Sequence, residues 1–238
     1  PLFHLRLRLH LPDTSRYGEV FGAFYETFQP CVESRLVTTI ACDTYVREVE
    51  RYGGEAIEPT ERLFGCDSAC IIRILELLRQ QGQLGTYPSE EIRWRLGLLL
   101  NDDLLDAFGL SLTEKTALVT EAAKGYKAEF GFTAHRSTKQ INDKYRALRD
   151  DLRHVMTTGL REEFPREILE ERKRQIEGLA SPIKTMVPDG ELQGYLRSLI
   201  HMTMNRLFRS QNRLCEMMVL EYLEREYNRL LAIKKRGN

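Results

Sequence analysis

Hydrophobic and polar positions alternate strictly along Pro1 to Leu11, PLFHLRLRLHL. Phe3, Leu5, Leu7, Leu9 and Leu11 fall on one side and His4, Arg6, Arg8 and His10 on the other. A period of two marks a half-buried strand. Leu36 to Tyr45, LVTTIACDTY, is rich in β-branched side chains and reads as a second strand. Between them Tyr17, Val20, Phe21, Phe24, Tyr25 and Phe28 recur at helical spacing. They predict a helix over Ser15 to Phe28, with an aromatic stripe turned to the core and Asp13, Thr14 or Ser15 as N-cap. If that helix packs over one face of the sheet, the two strands pair antiparallel.

After the tandem glycines of YVREVERYGG, Tyr45 to Gly54, which end regular structure, the remainder reads as helical. Helices are predicted over Glu58 to Gln81, with a break near Gly65 recapped at Asp67 or Ser68, over Ser89 to Phe108, and over Thr113 to Phe130 with Ser111 or Thr113 as cap. Ile141, Tyr145, Leu148, Leu152, Val155, Met156 and Leu160 form one side of a long amphipathic helix that Pro165 interrupts. The charge-dense run from Arg161 to Glu177 reads as a solvated helical face. In the last pattern, Asp189 to Leu214, Asp189 caps a helix whose buried side is Leu196, Leu199, Ile200, Met204 and Leu207. The predicted fold is α+β, a small antiparallel sheet near the N-terminus with a predominantly helical remainder. With no linker or repeat in evidence, residues 1–238 are expected to form a single domain.

At 238 residues, 42% hydrophobic and 29% charged, the chain has material for a substantial core. Thirty-five basic residues balance thirty-five acidic ones, which argues against a direct grip on nucleic acid. Apolar runs are short, as in LGLLL, so no membrane segment is expected and the cytoplasm is the expected setting. Five scattered cysteines without a CxxC pair suit a reducing compartment. Cys66 and Cys70 are one helical turn apart, but no companion pair stands at ligand spacing, and neither metal nor organic cofactor is called for. No P-loop, GxGxxG, HExxH or GxSxG is present. The chain opens without methionine and almost at once in a strand, so a preceding portion is expected.

Three stretches carry candidate chemistry. His4, Arg6, Arg8 and His10 would repel one another unless neutralised, either by carboxylates of this chain or by a ligand bearing a carboxylate or phosphate. Arg47 and Arg51 stand four residues apart around Glu48 and Glu50, as ordinary ion pairs of a helix end or as a binding edge beside Gly53 and Gly54. Ser198, His201 and Asn205, with Gly194 a turn earlier, share one helical stripe. They read either as a site lining or as a buried histidine satisfied by its neighbours.

Taken together, HLRLRLH, TYVREVERYGG and SLIHMTMNRLF resemble, in that order and over essentially the whole chain, the C-terminal elimination domain of lantibiotic dehydratases, a module that also stands alone in thiopeptide biosynthesis. The family's second motif is matched by Tyr45, Glu48, Arg51, Tyr52, Gly53 and Gly54, with Arg47 an additional arginine. In that family another strand and helix precede the opening motif. The resemblance implies a lyase acting on a ribosomally made precursor peptide. A tRNA-dependent glutamylation protein or domain esterifies Ser or Thr with glutamate, and this domain eliminates the glutamate to leave dehydroalanine or dehydrobutyrine.

Such an elimination needs a group to move the α-proton and cations to hold the departing carboxylate. The expected catalytic residues are therefore Arg8, Arg51 and His201, with Arg6, Arg47, Tyr52, Ser198 and Asn205 binding substrate. A cationic surrounding favours an uncharged imidazole able to take a proton. Related readings are a pyridine-forming [4+2] cyclase of thiopeptide assembly and a non-catalytic peptide-binding subunit that assists a partner enzyme. A homodimer is compatible with any of them.

Overall fold

The computed structural model describes residues 5–82, 87–132, 135–158, 160, 164–188 and 190–236, without the side chains of 87–90 and 135–138. The chain divides into two compact units, Pro1–Arg47 and Glu48–Asn238. In the first, Asp13 accepts a hydrogen bond from the Ser15 backbone N–H at 2.9 Å and caps a short 3₁₀ turn, Thr14–Arg16, that runs into helix α1, Tyr17–Glu33. The helix forms where its aromatic spacing predicts, but that stripe is not a core. Tyr17, Phe21 and Tyr25 are exposed, and no residue of α1 is buried.

The expected α+β fold is not found, because there is no strand among the described residues. Leu5 to Leu11 and Leu36 to Tyr45 form no backbone ladder, and Leu5, Leu7 and Leu9 stay 83%, 53% and 60% exposed. A strand exists only with a neighbour to take its N–H and C=O groups. Alternation readies a face for such pairing but does not supply the neighbour. Phe3 and His4 lie outside the described residues.

The second unit is built of helices: α2 (Val49–Tyr52), α3 (Ile57–Gln80), α4 (Tyr87–Ala107), α5 (Leu112–Glu129), α6 (His135–Thr158), α7 (Arg166–Met186), α8 (Leu192–Leu207) and α9 (Asn212–Arg236). Helix α3 runs through Gly65 without the predicted break. Asp67 is consequently no cap: it lies buried in mid-helix and accepts from the Arg172 Nε at 2.9 Å. Arg172 is itself an exception to the solvated face predicted for α7, with 2% of its surface exposed. Ser111 and Glu114 form a reciprocal capping box that starts α5. Asp189, the expected cap of α8, lies outside the described residues.

Helix α4 is the middle of the unit, packed on α7, α8 and α9, while α5 lies along α9 and α3 along α7. Leu96, Leu98, Leu100, Leu104 and Leu105 of α4 are fully buried. Between them Gly97 brings neighbouring helices close. A Cβ there would stand 3.1 Å from Val219 Cγ2 of α9 and 3.6 Å from Met204 Sδ of α8. The predicted buried side of α8, Leu196, Leu199, Ile200, Met204 and Leu207, faces this core. No helix among the described residues is long and apolar enough to cross a membrane.

Candidate functional site

Because one side of α8 is committed to the core, its polar stripe is held at a fixed angle to the flanking helices. His201 lies on that stripe with about a third of its side chain exposed. Its Nδ1 meets Glu216 Oε2 at 2.8 Å, and its Nε2 meets the Asn205 amide nitrogen at 2.9 Å. The Asn205 side-chain oxygen is taken by the Asn212 amide at 3.2 Å. These contacts assign the ring. An NH₂ group can only donate, so Nε2 accepts, and the proton sits on Nδ1 and is donated to Glu216.

Glu216 enters α9 just ahead of Met217, Met218, Val219 and Leu220, all buried, and its own side chain is 3% exposed. A carboxylate in such surroundings is tolerable only when hydrogen-bonded. Besides the imidazole it has Tyr126 of α5, whose hydroxyl is hydrogen-bonded to it; burial and the adjacent carboxylate push that phenol well above its ordinary pKa. Tyr126 and Glu216 also line a cleft of about 370 Å³ between α5, α8 and α9, edged by Arg197 and Arg213. Those two arginines pair with Glu121 at 3.1 Å and Glu129 at 2.5 Å. The neighbours of His201 given by hydrogen bonding are thus a carboxylate and a carboxamide.

Helix α2 is one turn long and ends where Gly53 turns with φ +79°. Arg51 pairs with Glu48 at 3.2 Å, both about half exposed. This is the ion pair that the simpler reading of the stretch anticipates. Tyr52 is buried, edge-on to Phe64 and Tyr195 with centroids 5.4 and 5.9 Å apart. Burial raises its hydroxyl pKa, against the pull of the Arg51 guanidinium beside it. Tyr195 in turn shares a 2.7 Å hydrogen bond with Thr60. Arg206 covers the Phe64 ring at 4.6 Å while donating to Ser68 at 2.9 Å.

Of the residues singled out by sequence, the second unit therefore joins His201 to Asn205 and sets Arg51 beside Tyr52. Ser198 is half-buried on the stripe of His201. In the first unit Arg8 stacks on Tyr45 at 4.8 Å, and Arg6 and Arg47 are exposed. Glu216 and Tyr126 belong to none of the motifs. The signal for Glu216 was an acid opening the apolar run EMMVL of a helix, where a charge is out of place unless it has a partner.

An imidazole held on one nitrogen by a buried carboxylate, in a unit built wholly of helices among its described residues, defines a candidate proton-transfer site. The model of the lantibiotic biosynthesis dehydratase C-terminal family matches residues 1–227, and the chain belongs to that family. The nisin biosynthesis protein NisB of Lactococcus lactis subsp. lactis is similar, 32% identical over 80 residues. That stretch is 33% of this chain and 8% of NisB, so the chain matches only a small part of the relative's length. No solved structure matches the chain.

Proposed function

We propose that the chain is a glutamate-eliminating lyase acting on a precursor peptide whose Ser or Thr residues carry glutamyl esters. A base removes the α-proton, the C–H electron pair becomes the Cα=Cβ bond, and the Cβ–O pair leaves with glutamate as its carboxylate. His201 Nε2 is the proton-transfer atom, since Nδ1 is engaged by Glu216 and the Asn205 amide covering Nε2 is exposed and can yield to substrate. Arg8 and Arg51 receive the departing carboxylate, because the guanidinium fork offers two parallel donors and keeps its charge. Arg6, Arg47, Tyr52, Ser198 and Asn205 line the bound peptide. The glutamyl group comes from a tRNA-dependent partner protein or domain, which sets the reaction in the cytoplasm.

Family membership over residues 1–227 supports the reaction class, and the His201–Glu216 contact is the single observation that carries the proton-transfer role. The test is to incubate the protein with a peptide bearing a synthetic glutamyl-serine ester and follow glutamate loss by mass spectrometry. The expected outcome is conversion to dehydroalanine, slowed about 100-fold or more in His201→Ala. No loss of glutamate with the parent protein, but ring formation from a peptide carrying two dehydroalanines, would replace the lyase by the [4+2] cyclase.

A further inference from the structure

We infer that Glu216 is the positioning residue of His201: its buried carboxylate accepts the Nδ1 proton, fixes the tautomer and angle of the ring, and leaves Nε2 as the atom that exchanges protons. The catalytic consequence rests on the elimination reading, whereas the contact itself does not. Glu216 approaches from α9 and His201 from α8, two helices whose buried residues Val219 and Met204 converge on Gly97. Neither partner can drift without disturbing that packing, so the 2.8 Å contact is set by the core.

The charge of Glu216 matters as well as its shape. When Nε2 takes the α-proton the ring becomes a cation, and a carboxylate at contact distance with its surroundings drained of water stabilises that cation far more than an exposed acid could. Once the ring passes its proton on, it returns to the neutral form with Nδ1 still donating to Glu216. Tyr126 also holds the carboxylate, through the hydroxyl hydrogen bond, so the acid has two partners. Asn205, steadied by Asn212, occupies Nε2 in the absence of substrate and holds the same tautomer from the opposite edge.

Two variants and two readouts test this. In the parent protein, nitrogen-resolved NMR of neutral His201 is expected to show the proton on Nδ1, far downfield and slow to exchange with water. In Glu216→Met, of similar volume but without an acceptor, that resonance moves upfield and exchanges. Glu216→Gln, which keeps shape and loses charge, is expected to lower kcat for glutamate elimination about 100-fold with KM within about threefold. If Glu216→Met does not fold, the downfield shift is read in Glu216→Gln instead, where it is expected to shrink. A neutral parent ring protonated on Nε2 would overturn the assignment, as would Glu216→Gln turning over at the parental kcat. A parent protein that leaves the glutamyl ester intact overturns the lyase reading alone, and the NMR signal then decides the contact by itself.

Discussion

Leu9 and Leu100 are the same residue type set in two regions that treat it oppositely. In the first unit Leu9 is 60% exposed and no described residue is buried, whereas in the second Leu100 is wholly enclosed. Both lie in stretches with a strong apolar pattern. The difference is that helices satisfy their own backbone and need only a face to bury, which α4 finds in α7, α8 and α9. An extended segment needs a second strand before its apolar face can gain anything. Pattern strength therefore says how much a segment could contribute, and topology decides whether it does.

The sharpest way to probe the contrast is at the buried charges of the helical unit. Asp67→Ala strands the Arg172 guanidinium, whose side chain is 1% exposed, and is expected to cost about 3–5 kcal/mol, read from the urea midpoint. Restoring neutrality with Arg172→Met in the same chain should recover most of that loss.

Next in size, Leu100→Ala is expected to cost about 2–5 kcal/mol and Leu9→Ala less than about 0.5 kcal/mol in the same denaturation experiment. Equal costs would mean that the first unit carries as much stabilising packing as the second, and would break the comparison.

The smallest effect is invisible at neutral pH. Burial pushes the hydroxyls of Tyr195 and Tyr222 up to about 12 from an ordinary 10. Their folded pKa values exceed the unfolded ones, so the stabilisation is complete below pH 10 and is lost as pH rises through about 12. Ultraviolet titration of tyrosinate is expected to show these two rings ionising in that window together with loss of helix. Ionisation near pH 10 with the helices intact would show that the rings are not shielded by the packing described.

Much of the helical unit is legible in the sequence. Ser111, one of two cap candidates, announces α5, Pro165 separates α6 from α7, and five apolar positions of α8 name its buried side. Gly65 misleads because glycine costs a helix only about 1 kcal/mol, which the packing of α3 against α7 outweighs. The sheet misleads for a different reason: a period of two records what a strand could bury and carries no information about its neighbour. At the candidate site the sequence offers His201 and Asn205, which share a helix, but not Glu216, which comes from the next helix in the chain. Spacing rules reach one turn along a segment, while Glu216 meets His201 across two elements, and only packing brings them together.

Gly97 bears no functional group, yet it governs a dimension of the candidate site. Val219 and Met204, the side chains nearest its vacant Cβ position, each stand three residues after the glutamate and the imidazole. A methyl group at this point would press on Val219, on the rod that carries the acid, while meeting Met204, on the rod that carries the ring, at ordinary contact distance. The reach of the chemistry is calibrated by an atom the chain leaves out.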